Sequence, residues 1–205
     1  MPLQNRVLPT GEIAAIEARG TLTGNRGILD FDATGRLGTA RWRSQAWISC
    51  TLIHPRGKYQ GPRPVRSWTP LFFLDEAVAL AAGHRPCAYC RRAAFAAYRD
   101  AWARATGAAP RAPAIDRALH RARATRDRRQ VRLTAVAADL PPGAMVLWQD
   151  RPHLVAADAL RPWHPAGYDA PVPRPDGPVT VLTPAPSLAA LAAGFRPELH
   201  QSATA

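Results

Sequence analysis

Lysine is nearly missing from this chain: Lys58 is the only one in 205 residues, and the other 26 basic residues are arginine. A GC-rich coding bias exchanges lysine for arginine in this way, but it does not create net charge. Acidic residues are scarce too, 15 against 27 basic, which leaves a formal charge of +12. Cysteine occurs three times, at Cys50, Cys87 and Cys90. That count is odd and too small for a disulfide scaffold. No apolar run approaches the roughly 18 residues of a membrane span. The opening Met-Pro-Leu-Gln-Asn-Arg-Val lacks the apolar stretch of a secretory signal. These absences predict a cytoplasmic protein with reduced thiols. There is no Walker loop, no Gly-x-Gly-x-x-Gly and no Gly-x-Ser-x-Gly, so nucleotide-hydrolase and α/β-hydrolase chemistry have no support.

What is present is enough to fold. Hydrophobic residues make up 47% of the chain, which excludes whole-chain disorder. The positive charge is concentrated in one place. Residues 1–84 balance at +4, residues 85–132 at +10 with 13 arginines, and residues 133–205 at −2. A local basic block is the electrostatic footprint of a polyanion partner, because neutralised phosphates release counterions. The competing reading is a solvated, self-repelling helix face or arm.

Local signals predict an α+β fold, with a first region over 1–130 and a smaller β-rich region over 131–205 packed on it. Gly27 to Asp32 reads as a strand, as do Trp47 to Ile53 and Leu71 to Phe73. Asp75 can cap a helix over Glu76 to Ala82 by accepting first-turn amide hydrogens. Gly83 and Pro86 stop it. A longer helix begins near Arg91, with Phe95, Tyr98 and Trp102 on one stripe. Pro113 opens another, with Ile115, Leu119 and Ala122 inward and Arg117, Arg121 and Arg128 elsewhere. Met145 to Trp148 and His153 to Ala156 read as a hairpin. Residues 169–178, with four prolines, read as a linker or an extended wrap. Leu80-Ala81-Ala82-Gly83-His84-Arg85-Pro86 is echoed by Leu191-Ala192-Ala193-Gly194-Phe195-Arg196-Pro197, with Ser187 as the second cap. The echo is either a degenerate duplication or a good helix stop used twice.

Cys87-Ala88-Tyr89-Cys90 is a Cys-x2-Cys pair in a turn before a helix, a spacing that lets both thiolates face one tetrahedral ion. Cys50 and His54 form a Cys-x3-His pair at the end of a strand. Three sulfurs and an imidazole make a structural Zn2+ set, and zinc brings no redox chemistry. His54 is the expected fourth ligand by spacing, ahead of His84 and then His120. With no histidine ligand, three cysteines and a water would leave an open, catalytic type of site. A thioredoxin-like redox pair lacks its βαβ context here.

The residues from Phe72 through Asp75-Glu76, Gly83-His84-Arg85-Pro86-Cys87-Ala88-Tyr89-Cys90 to Arg91 carry a resemblance. They are similar to the second half of the zinc-binding domain at the N-terminus of the Ada DNA-repair proteins. The resemblance spans about residues 47–92 and is specific over 72–91. It implies a zinc-held strand–helix module that binds DNA. In that family four thiolates hold the zinc, and one of them accepts a methyl group from a DNA phosphotriester. Here His54 stands where the family has a cysteine, which makes the site less anionic and a poorer methyl acceptor. The whole chain also resembles a group of bacterial proteins of this length, which implies no activity.

The expectation is therefore a zinc protein that binds nucleic acid, DNA before RNA, in repair or processing. Arg85, Arg91 and Arg92 are nearest the cysteines and are expected at phosphate. An enzymatic alternative uses Cys50 as the reactive sulfur of a methyl acceptor. Another uses Asp116 and His120, at i and i+4 on one helix, as the base pair of a nuclease. A surface pair among arginines competes with that dyad. A zinc-stabilised module docking on an acidic protein is the third alternative. Trp42 and Trp47, beside Arg41 and Arg43, are either base-stacking or core residues.

Overall fold

In the computed structural model the chain is described over residues 2–53, 68–125 and 130–204. Among those residues four helices and two sheets form, the mixed α+β class expected. The first half holds β1 (Arg6–Val7), β2 (Ile13–Ala14), β3 (Leu22–Asn25), β4 (Ile48–Thr51), β5 (Leu71–Phe73), α1 (Glu76–Ala81), β6 (Arg85–Pro86), α2 (Arg92–Thr106) and α3 (Ala112–Arg123). The second half holds β7 (Leu133–Val136), β8 (Met145–Trp148), β9 (Arg151–Val155), β10 (Ala159–His164), β11 (Gly167–Tyr168), β12 (Val172–Pro173), β13 (Pro178–Val181) and α4 (Ala185–Ala192). None of the described helices is long and apolar enough to cross a membrane.

The first sheet runs β2-β1-β5-β3-β4-β6 and is mixed, with β1 parallel to β5 and β4 parallel to β6. The expected strand over 27–32 does not form. Asp32 instead folds a turn by accepting from the Thr34 and Arg36 amides, and only a Phe31–Leu37 bridge remains. The strand lies earlier, over Leu22–Asn25, and runs through Gly24. A Cβ on Gly24 would meet Ile48 O at 2.1 Å and the Phe73 ring at 2.9 Å, so close packing across three strands requires glycine there.

Helix α1 is buried on every residue, which its alanines permit by leaving room for close approach. Asp75 caps it as expected, accepting from the Val78 amide at 3.0 Å. Gly83 ends it in the left-handed region at φ 84°, and the His84 amide returns to Ala79 O at 2.8 Å. In α2 Tyr98 and Trp102 are buried, with Phe95 half-buried beside them, and Gly107 stops the helix at φ 74°. In α3 Ile115 and Leu119 point inward as expected.

The second sheet is antiparallel throughout, in the order β11-β10-β9-β8-β13-β7, with β12 on β10. The 169–178 segment is thus the extended wrap rather than a linker. The expected hairpin turns on Gln149 and Asp150, both at positive φ. Ser187 does not cap α4: the cap position is Pro184, and the Ser187 hydroxyl sits inside, 2.9 Å from the Tyr98 hydroxyl. Two cores hold the molecule, and each draws on both halves of the chain. One joins Leu22, Phe73 and Val78 to Met145, Leu154 and Leu182. The other joins Tyr98 and Leu119 to Val146, Val155 and Leu191.

Candidate metal centre

Cys50 sits near the end of β4, opposite Thr23 of β3. Parallel pairing of β4 with β6 continues one step further, because the Cys87 amide donates to Ser49 O at 2.9 Å. That bond places Cys87 beside Cys50. The chain then turns through 88–91, where the Arg91 amide donates to Cys87 O at 3.1 Å, and α2 begins at Arg92. The turn brings Cys90 back to the other two.

The three sulfurs lie within 4.8 Å of one another. A tetrahedral ion with bonds of about 2.3 Å requires sulfurs roughly 3.8 Å apart, so the trio needs at most a small contraction. All three thiols are free; Cys87 is buried, while Cys50 and Cys90 are half-buried. Cys87 is pushed down to about 4, chiefly by the hydrogen bond from Cys50, against its burial and with help from the Cys90 and Tyr89 amides. Cys50 is pushed up, first by that same bond to Cys87 and then by burial. Hydrogen bonding within the trio thus favours the thiolate at Cys87 over one at Cys50. This donor set fits a soft, thiolate-preferring ion such as zinc.

Among the described residues no fourth side chain joins the trio. His54 lies outside the described residues. His84 does not join the trio. It is fully buried, with its ring 4.6 Å from Phe73 and 5.3 Å from Trp47, and its Nε2 accepts from Arg26 at 3.3 Å. His120 is turned away as well, 5.8 Å from Trp42 and 6.4 Å from Trp47.

Two of the arginines expected at phosphate are turned inward. Arg85 is 5% exposed and holds Asp116 through two bonds of 2.8 Å. Arg91 is 8% exposed and pairs with Glu76 at 2.5 Å and Glu198 at 3.2 Å. Arg92 is exposed, as are Arg99, Arg104, Arg111, Arg117 and Arg121. The Arg85 pair also dissolves the proposed Asp116–His120 dyad, since both Asp116 oxygens are committed to Arg85. Trp47 is core, 1% exposed, and Trp42 is half-buried against it at 5.5 Å.

Sequence reasoning missed Arg26 and Arg123, which are 2% and 0% exposed. Each guanidinium lies 4.0 Å from the Trp47 ring centre. A signal existed for Arg123: Ile115, Leu119 and Arg123 fall at i, i+4 and i+8, so an arginine continues the apolar stripe. Arg26 was hidden inside a Gly-Asn-Arg-Gly stretch that reads as a turn. No protein-family model, curated protein or solved structure matches this chain.

Proposed function

We propose that Cys50, Cys87 and Cys90 hold a zinc ion and that the protein binds nucleic acid, DNA before RNA, beside that site. The observation that carries the metal reading is the convergence of three sulfurs from two strand ends and a helix start. The resemblance to the Ada zinc module supports the same metal and the same partner. The phosphate-facing role falls to exposed arginines. Arg92 follows Cys90 by two residues, and Arg99 is two helical turns further along the same face of α2. Arg117 and Arg121 form a second exposed pair on α3.

Two measurements test this. Metal analysis of the purified protein should find one zinc per chain, and cobalt(II) substitution should give thiolate-to-metal absorption that Cys87→Ser and Cys90→Ser abolish. Binding of duplex DNA should weaken steeply with salt, and Arg92→Ala and Arg99→Ala should each lower the salt slope by about one unit. An unchanged slope removes the α2 face from the contact, and no binding of DNA or RNA at low salt removes the partner class. A methyl-acceptor role is the second reading; Cys50 is half-buried, as Cys90 is, so its sulfur is open to solvent in part. Mass spectrometry after incubation with methylated DNA should then find one methyl group on Cys50; an unmodified Cys50 ends that reading.

A further inference from the structure

The least expected feature of the interior is its positive charge. Arg26 and Arg123 are both buried, and both lie over Trp47, so their charges are no farther apart than twice 4.0 Å. Arg26 gives one nitrogen to His84 and one to Gly11 O at 3.1 Å. Arg123 donates to Gly83 O at 2.7 Å and Gln45 O at 2.6 Å. None of these acceptors carries a charge. Among the described residues no carboxylate pairs with either guanidinium; Asp116, within electrostatic reach of Arg123, is committed to Arg85.

Donors are also left over. Arg26 Nη2, Arg123 Nε and His120 Nδ1 are buried and have no hydrogen-bond partner among the described residues. All three belong to side chains gathered around one indole, with the His120 ring 6.4 Å from Trp47. Burial and mutual repulsion hold Arg26 down to about 9, and burial does the same to Arg123. His84 is held well below its ordinary range by burial and by both guanidiniums, so it adds a neutral ring rather than a third charge. Uncompensated buried cations are costly, and the face of an aromatic ring offsets only part of that cost. Bound water satisfies a donor but not a charge. An anion satisfies both.

We propose that the ring of Arg26, Arg123 and His120 around Trp47 is a binding site for a phosphate-type oxyanion. Guanidinium N–H groups match phosphate oxygens in geometry, and they stay charged when desolvated more readily than lysine. Trp42 and His120, both half-buried and 5.8 Å apart, are the members of the cluster that reach solvent. The site is also next to the cysteines. Trp47 precedes Cys50 by three residues and His84 precedes Cys87 by three, which is roughly 10 Å along paired extended chains. The Arg85 amide donates to Trp47 O at 3.1 Å and fixes the two segments side by side. A phosphate held here belongs either to free inorganic phosphate or to the end of a nucleic-acid strand. The site stands on its own geometry, whichever ion the cysteines hold.

The test is calorimetric titration of the full chain, with tryptophan fluorescence as a second readout. One arm uses inorganic phosphate; the other compares an oligonucleotide bearing a 5′-phosphate with the same strand ending in a hydroxyl. Saturable binding of one inorganic phosphate per chain, or tighter binding of the phosphorylated strand, is the expected result. Arg26→Gln should weaken that binding at least tenfold. His120→Ala, at the solvent side, should weaken it several-fold and serves if Arg26→Gln does not fold. No saturable phosphate binding and no preference for the phosphorylated end overturns the proposal. Binding that His120→Ala leaves unchanged overturns it too, because the phosphate then sits elsewhere. A chain that binds inorganic phosphate but no nucleic acid keeps this site and loses the function proposed above.

Discussion

At the scale of single residues, Asp75 shows how one legible side chain serves three partners. Its cap on α1 is readable from the sequence, but its other oxygen is not. That oxygen accepts from the Tyr168 hydroxyl at 2.9 Å and the His200 amide at 3.0 Å, both from the far end of the chain. Asp75→Ala removes the cap and strands buried donors, so unfolding free energy should fall by about 2–4 kcal/mol in denaturant titration. The pH response runs in a defined direction. Burial holds the Asp75 carboxyl above its ordinary range despite those donors. A raised folded value means that its ionisation favours the unfolded chain. Its contribution is therefore largest in acid and falls as pH rises from the ordinary carboxylate value through the raised one. Asp75→Asn lacks that titration, so the stability of wild type relative to Asp75→Asn should decline across that window. A constant difference would mean that donors and burial cancel, and a rising one that the donors outweigh burial. The Cys87–Cys90 pair of the candidate centre was legible for the same reason as the cap, because spacing along the chain is local, whereas Cys50 joins it only through the β4–β6 pairing. The inward turn of Arg85, Arg91, Arg26 and Arg123 was not, because a sum of charges does not say which arginines the fold encloses.

At the scale of elements, stops were easier to read than strands. Gly83, Gly107 and Gly194 all take positive φ at the ends of helices. The two echoed stops are built alike: the Gly83 amide returns to Leu80 O and the Gly194 amide to Leu191 O at 2.9 and 3.0 Å. They differ in what surrounds them. A Cβ on Gly194 would come no nearer than 3.5 Å to Arg104, whereas one on Gly83 would lie 2.4 Å from Arg123 Cδ. Gly194→Ala should thus cost only the left-handed backbone, about 1–2 kcal/mol. Gly83→Ala should cost clearly more, since it also displaces Arg123 from Gly83 O; thermal melts of the two variants give the comparison. The β8–β9 turn predicts a gain instead. Asp150 sits at φ 56° without being glycine, so Asp150→Gly should raise stability by up to about 1 kcal/mol. Strands β1, β2, β6, β11 and β12 are two residues each, too short for alternation to show. Pairing rather than pattern defines them, across long separations for β1 on β5 and β6 on β4, so sequence alone could not place them.

At the scale of the whole molecule, the three cysteines gather at one edge of one sheet, where a bound ion would act as a clamp. β6 is the edge strand, and among its anchors are the Arg85 amide on Trp47 O and the Cys87 amide on Ser49 O. From this edge Arg85 reaches Asp116 of α3, and Arg91 reaches Glu76 of α1 and Glu198 near the C-terminus. A bound ion adds stability that grows with its free concentration, about 2.7 kcal/mol at a hundredfold excess over its dissociation constant. Acid works against it, because protons compete for the thiolates, so affinity should fall as pH falls. The second sheet contributes no ligand and shares its hydrophobic faces with the first half through two cores. Chelation should therefore loosen the clamp without opening the cores. Amide hydrogen exchange after chelator treatment should rise over 48–51 and 85–95 and stay slow in β8, β9 and β10. A uniform rise across both sheets would mean that the ion holds the entire fold. No change at the β4–β6 edge would mean that the three sulfurs hold no ion at all.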